Sequence, residues 1–289
     1  MTEITTEKKK LLAIYAKKYC SLNNPSLCTK KPCTCAVAAE YRAFINKTIP
    51  IDFRDFTIFD FDGKLKGEDF KLAASVAANA KCLVWDFCWG KSKLINKLSV
   101  LDTNSRDALL DKESIIGYRI SRGQNVIIHG ESPKNVIEEG DGKTHQVRAK
   151  PLGRTFIASL ITKEVIKTRL DNRYPNLRIA NYEWIGFSLL RDSILNGSDD
   201  MVHLESCEWL VVDDIPEESI GSSQQQKAYV QPKIDAFFSS RLRSQHSTLL
   251  VFRFDADRRI SDIESTFGVS VAKIINDKRT CVIRLTQPT

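Results

Sequence analysis

The sequence predicts an α/β protein in which a mainly parallel sheet is covered by helices and preceded by a small N-terminal module. Three observations carry that prediction. From about residue 120 onward, short apolar runs of strand length alternate with longer runs of helical period. One of these helices, opening at "GRTFIASLITKEVIK", repeats apolar residues at i, i+4 spacing through Phe156, Ile157, Leu160, Ile161 and Val165. The run "EWLVVDD" (208–214) reads as a buried strand that ends abruptly in two acids.

The 289 residues hold one large domain and a small one, and 42% apolar with 27% charged residues is the balance of a soluble globular chain. No apolar run approaches the ~20 residues a membrane span needs. The N-terminus "MTEITTEKKKLL" lacks the apolar core of a signal peptide, so no membrane association and a cytoplasmic location are expected. The net charge of +7 is uneven: residues 1–50 carry nine Lys or Arg against three acids (9 − 3 = +6). A basic end beside a near-neutral body points to a polyanionic partner, the alternative being a merely soluble surface.

Taken in order, "EKKKLLAIYAKKY" (7–19) places Leu11, Leu12, Tyr15 and Tyr19 on one helical face with lysines opposite. Four cysteines follow within a short polar stretch: Cys20, Cys28, Cys33 and Cys35. Nothing else in the sequence marks a secreted disulfide framework, and four thiolates around one tetrahedral Zn²⁺ would let such a stretch fold with little core. Their C-x7-C-x4-C-x-C spacing is not the common C-x2-C pair, and free or partly buried thiols remain the alternative. Cys82, Cys88, Cys207 and Cys281 lie in apolar contexts and read as small buried hydrophobes. "YRAFINKTIPIDFRDFTIFDFDG" is broken at Pro50 and Gly63 and reads as a connector lying against the next domain. A helical stretch begins near residue 66.

Beyond it, "NVIIH" (125–129) is a short apolar strand, "LRIANY" (177–182) the next strand and "WIGFSLLRDSIL" the next helix. "GSSQQQ" (221–226) reads as a flexible loop, and "KIDAFFSSRLRSQ" as an amphipathic helix through Ile234, Phe237, Phe238 and Leu242. "TLLVFRF" and "CVIRL" supply two more strands.

Two tripeptides resemble the end of a phosphate-binding loop: Gly142-Lys143-Thr144 and Gly153-Arg154-Thr155. Such a loop needs a buried strand before it and a helix starting at its last residues, so that free N–H groups face phosphate. Pro151 and Gly153 forbid a helix after Lys143, whereas the helix at Thr155 is the most regular in the chain. The loop therefore runs from Gly130 to Thr155, and residues 134–150 are an insertion with a hairpin turn at Asp141-Gly142. Arg154 occupies the lysine position, where a broad planar guanidinium replaces a compact ammonium. Thr155 is expected on Mg²⁺ together with Asp213, and Asp214 is the candidate for orienting an attacking water. "DDIPEE" reads alternatively as a solvated acidic loop. The loop and the acids, in this order and about 60 residues apart, point to a nucleotide-binding fold. Lys163, Lys167, Arg169, Arg241 and Arg243 are candidates for a surface that tracks nucleic-acid phosphates, or else solvated helix faces.

The chain resembles the DnaC/DnaI group of bacterial and phage helicase loaders, which is similar to the IstB transposition ATPases. The resemblance lies in the cysteine-bearing front, "IPIDFRDFTIFDF", "NVIIHG", "GRTFIASLITKEVIK", "WLVVDDI", "IDAFFSSRLRSQ", "TLLVF" and "FGVSVAKIINDKRTCVIRL". It implies an AAA+ (P-loop ASCE) core with a five-stranded parallel sheet. The implied division is a helical, zinc-binding module over 1–50, a connector over 51–65 and a lidless ATPase-like domain over 66–289. It also implies ATP or ADP held at Gly130, Gly153, Arg154, Thr155, Phe156 and Asp213, with Mg²⁺ as cofactor. The implied partners are a replicative DNA helicase, single-stranded DNA and further copies of the chain. The chain departs from that family at three places: Arg154 with its insertion, Phe252-Arg253-Phe254 where polar residues sense the γ-phosphate, and Lys273 where a trans-acting arginine is usual. Because an arginine finger is worth ~10³–10⁵ in rate, the expected ATPase activity is slow or lost in a phage-like, degenerate site. The alternatives are an IstB-like transposition ATPase and a non-enzymatic AAA+ scaffold in a nucleoprotein assembly.

Overall fold

Alternating apolar residues on a strand serve two cores only if both faces of the sheet are covered, and the central strands here do this. The computed structural model describes residues 34–56, 74–90, 115–130, 136–140, 143–147, 153–170, 181–197, 200–216, 224–256 and 260–285. Five parallel strands form the main sheet: β1 (Val126–His129), β4 (Tyr182–Gly186), β5 (Trp209–Ile215), β6 (Ser247–Phe252) and β7 (Cys281–Arg284), in the order β4-β5-β6-β1-β7. β1 and β6 are buried throughout, as is β5 except for Asp214, while the edge strands β4 and β7 are half-exposed. Val126, Ile128, Trp209, Val211, Leu249 and Val251 face one core, and Ile127, Leu210, Val212, Leu250 and Phe252 the other. This α/β architecture with a five-stranded parallel sheet matches the expected fold class and is consistent with an AAA+ core.

The first core is closed by helices α1 (Thr34–Thr48), α2 (Ala74–Trp89), α3 (Ile115–Ser121) and α4 (Arg154–Leu170). Ile45 of α1 and Ile49 just beyond it belong to this same buried cluster. Trp209 is fully buried, 6.4 Å from the Phe87 ring, and its indole N–H donates to Thr162 at 3.2 Å. Both halves of that amphipathic side chain are thus satisfied. The second core is closed by α5 (Phe187–Asn196), α6 (Asp200–Ser206), α7 (Gln224–Arg243), α8 (Ile260–Phe267) and α9 (Val269–Asn276). Among the described residues no helix is long and apolar enough to cross a membrane.

α4 is buried on every side from Phe156 to Val165, wider than the single stripe its sequence predicts. Lys163 lies inside that buried run, 3% exposed, and its ammonium donates to the carbonyls of Phe53 and Phe56. It therefore fastens the connector, whose Ile51–Phe53 turn is a 3-10 helix, onto α4. The insertion contains β2 (Val136–Gly140) paired antiparallel with β3 (Lys143–Val147), and Gly140 lies opposite Lys143 so that two residues close the hairpin. Lys143 is thus a strand residue of the hairpin.

Several boundaries differ from the sequence expectation. Trp184, Ile185 and Gly186 belong to β4 and not to the following helix, because they pair with Val211, Val212 and Asp213 of β5. Gly186, extended at φ −72° and ψ 144°, then starts α5 at Phe187. The helix expected from Lys233 begins at Gln224, so Gln224–Gln226 are helical, and Pro232 lies within the helix. Cys82 is exposed and Cys281 half-buried, whereas Cys88 and Cys207 are buried as expected. Burial raises the thiol pKa of Cys88 and Cys207, and that of Cys281 to about 12, so all three stay protonated and inert. Of the zinc candidates, Cys20, Cys28 and Cys33 lie outside the described residues, and Cys35 is in the first turn of α1. Among the described residues no three His, Cys, Asp or Glu side chains converge in a way that could hold a metal ion.

Candidate nucleotide-binding site

In an open parallel sheet, ligands sit beyond the C-terminal strand ends where the chain reverses its direction of travel across the sheet. β1 is that place: the chain leaves it for the distant β4, returns through β5 and β6, and ends on β7 at its other side. Gly130 follows β1 directly, with φ at 153°, and Gly153 precedes α4 with φ at 72°. Both values are in the range that glycine tolerates best. The Gly130 N–H donates to the Phe254 carbonyl at 3.1 Å, tying the loop start to the segment after β6. His129, fully buried, reinforces that tie. Its Nδ1 lies 3.2 Å from both the Ala256 N–H and the Asp255 carboxylate, which in turn pairs with Arg284 at 2.5 Å.

Arg154 and Thr155 start α4 and face different groups. The Arg154 guanidinium donates to the Gly130 carbonyl and, at 3.3 Å, to the Arg253 carbonyl. Burial, then the nearby Arg253 charge, lowers its pKa to about 10, with Asp213 and Asp214 opposing the shift. It remains a cation at neutral pH. The Thr155 hydroxyl donates to Asp213 Oδ1 at 3.3 Å. Asp213 is 8% exposed, and burial raises its pKa while the Thr155 hydrogen bond acts against that shift.

A bulge separates the two acids. β5 advances from Val212 to Ile215 while β6 advances from Leu250 to Phe252, so β5 carries one extra residue. Asp214 adopts a left-handed φ of 67°, and its N–H donates to Asp213 Oδ1 at 2.8 Å. A left-handed non-glycine residue costs roughly 1–3 kcal/mol, and such strain gathers at working sites. Here it leaves Asp213 facing Thr155 and turns Asp214 outward, where its carboxylate takes both a Nε–H and a Nη–H of Arg253. Arg253 is held from behind by its own N–H, which donates to the Ile215 carbonyl at 2.9 Å. Phe252 and Phe254 on either side are buried and stack edge to face at 5.2 Å.

The structure thus brings Gly130, Gly153, Arg154, Thr155, Asp213 and Asp214 to one end of the sheet. The Phe156 ring does not join them: it is fully buried against Phe53 and Phe56 at 6.1 and 5.7 Å, so only its main chain lies at the helix start. Lys273 is exposed in the last turn of α9, and the contacts among the described residues do not bring it to this group. Lys163 and Arg241 drop out of the phosphate-tracking surface because both are buried and bonded to backbone carbonyls. Lys167 is half-exposed and pairs with Glu164 at 2.5 Å, and Arg243 is exposed. The Arg253–Asp214 ion pair, the bulge and the His129–Asp255–Arg284 brace were not anticipated. The sequence singled out Arg253 only as part of Phe252-Arg253-Phe254, a departure from the polar residues the resemblance implies there.

These residues fit a nucleotide phosphate with its divalent ion. Thr155 and Asp213 offer two hard oxygen donors side by side, the set Mg²⁺ takes when waters and phosphate fill its other positions. The first turn of α4 supplies main-chain N–H groups, and Arg154 and Arg253 supply positive charge. Asp213 and Asp214 balance those two cations.

No family model matches this sequence, and no curated protein matches it significantly. Among solved structures the chain is similar to the crystal structure of the DnaC helicase loader, with 16% identity over 64% of this chain and 92% of that one, and a TM-score of 0.39.

Proposed function

We propose that this chain is a helicase-loader-like AAA+ protein of DNA replication that binds ATP or ADP with Mg²⁺ and hydrolyses it slowly or not at all. The meeting of Thr155 and Asp213, 58 residues apart in sequence, supports nucleotide binding most strongly. It supplies a metal-holding pair where a phosphate loop opens onto α4. Weak hydrolysis is supported by the engagement of Arg154 with loop carbonyls and of Asp214 with Arg253, which takes up the acid expected to orient water. Those same contacts favour the second reading, a nucleotide-binding scaffold without turnover. The replicative helicase, single-stranded DNA, self-association and a zinc ion on Cys20, Cys28, Cys33 and Cys35 rest on the sequence resemblance and on the basic N-terminal region. Two measurements on the full chain separate the readings. Stable co-purification with a hexameric replicative helicase is expected of a loader, and its absence beside binding to a transposase would favour the IstB-like alternative. ATP turnover with and without single-stranded DNA distinguishes a slow enzyme from a scaffold.

A further inference from the structure

We propose that Asp255 and Arg284 are positioning residues of the nucleotide site, which hold the Arg154 guanidinium in place through the two carbonyls it donates to. The inference rests on the nucleotide reading above and deepens it by naming what sets the cation at the phosphate loop. Arg154 donates to the carbonyls of Gly130 and Arg253, both from Nη1, so these two oxygens fix one corner of the guanidinium. Neither carbonyl belongs to a strand: Gly130 follows β1 and Arg253 follows β6. Their places depend on what ties those two strand ends together. The Gly130 N–H donates to the Phe254 carbonyl at 3.1 Å, and just beyond it the Ala256 N–H and the Asp255 carboxylate both meet His129 Nδ1 at 3.2 Å. Asp255 is 1% exposed, and Arg284 at the end of β7 supplies its countercharge. β7 is in turn registered on β1, with Arg284 opposite His129 and the Leu285 N–H donating to the His129 carbonyl at 2.9 Å.

A buried carboxylate keeps its place only while its partners compensate it, because removing one leaves an uncompensated charge in a low dielectric. Asp255 has such a partner in Arg284, whose side chain is 42% exposed and reaches it from the outer strand of the sheet. Without Arg284, the segment 254–256 loses the charge that holds it against the end of β1. The Arg253 carbonyl, one residue before that segment, moves with it. The guanidinium then loses one of its two fixed acceptors, and the Gly130–Phe254 bond carries the shift to the other. Charge-assisted bonds to phosphate depend on placement of this kind, set by the residues behind the contacting group. Asp255 is therefore an acid whose presence favours an anionic ligand. Long-range electrostatics alone gives it the opposite sign, since a negative charge near the loop repels phosphate.

The test is the Mg-ATP affinity of the full chain by titration calorimetry, for Asp255→Asn, Arg284→Gln and Arg284→Lys, each in the wild-type and the Arg154→Ala background. Arg122→Gln, at an exposed arginine ahead of β1 and so at its other end, controls for the lost charge. In the wild-type background Asp255→Asn and Arg284→Gln should each weaken binding about fivefold. Arg284→Lys should stay within about twofold of wild type, and the control should leave affinity unchanged. With Arg154 already removed, the same changes should cost less than about twofold, because the group they position is gone. Melting curves check folding, and Arg284→Gln, at a half-exposed residue, carries the test if Asp255→Asn does not fold. Tighter or unchanged binding in a folded Asp255→Asn or Arg284→Gln, equal losses in the two backgrounds, or an equal loss in Arg122→Gln overturns the inference and leaves the nucleotide reading standing. Failure of the wild type to bind Mg-ATP overturns both.

Discussion

Replacing Arg241 by methionine should destabilise the protein severely, although an arginine late in an amphipathic helix reads from sequence as a surface cation. Arg241 is 1% exposed. Its guanidinium donates to the carbonyls of Leu204, Cys207 and Ser247 at 2.7, 2.9 and 2.6 Å, to Glu205 at 3.1 Å and to the Thr248 hydroxyl at 3.0 Å. These acceptors belong to α6, to the turn after it and to β6, so one side chain from α7 fastens three elements. Methionine fills much of the volume but donates nothing, and it leaves several buried carbonyls without this donor. Each buried acceptor so deprived costs about 1–3 kcal/mol, and partial rescue by water or rearrangement brings the expected total to about 3–5 kcal/mol. For a domain of this size that is a fall in Tm on the order of 10 °C. Thermal unfolding followed by circular dichroism measures it, with the exposed Arg243→Met as control, expected within about 0.5 kcal/mol of wild type. Equal Tm values for Arg241→Met and wild type would refute the view that this residue is architectural.

Lys163→Met should loosen the connector, because the carbonyls of Phe53 and Phe56 lose their ammonium donor. Limited proteolysis should then cut within 51–56 faster than in wild type, with a stability loss of about 2 kcal/mol. The purified protein should hold one zinc per chain, and Cys20→Ser, Cys28→Ser or Cys33→Ser should each release it. Metal-free protein with an unchanged N-terminal fold contradicts that ligand set. Single-stranded DNA should bind with little sequence preference and weaken steeply as salt rises, since bound Lys and Arg displace counterions. A flat salt dependence argues against phosphate-led binding.

What the sequence made legible was whatever is periodic or local. "EWLVVDD" declares a buried strand by its run of large apolar residues, and Pro151 and Gly153 fix where α4 begins. β2 and β3 pair up to Gly140 opposite Lys143, the hairpin the sequence predicts, while the expected turn residues Asp141 and Gly142 lie outside the described residues. Edges were harder. β4 is half-exposed, so Trp184 and Ile185 carry no clean alternation, and their strand character comes from pairing with β5. Least visible were long-range polar contacts. Nothing local distinguishes the buried Arg241 from the exposed Arg243, or shows that Lys163 meets carbonyls 110 and 107 residues away. The pairing of Arg253 with Asp214 depends on one extra residue in β5, and a bulge leaves no mark in hydrophobic pattern.

The central claim is that phosphate binds where α4 begins, with Arg154 and not Lys143 in the cation position. Mg-ATP affinity measured side by side for wild type, Arg154→Ala, Arg154→Lys and Lys143→Ala tests it most directly. Arg154→Ala should weaken binding about tenfold or more, through loss of a partly buried cation beside the phosphates. Arg154→Lys should keep most of the affinity, and Lys143→Ala, on the hairpin strand β3, should leave it within about twofold of wild type. The opposite pattern, binding abolished by Lys143→Ala and untouched by Arg154→Ala, would contradict the account.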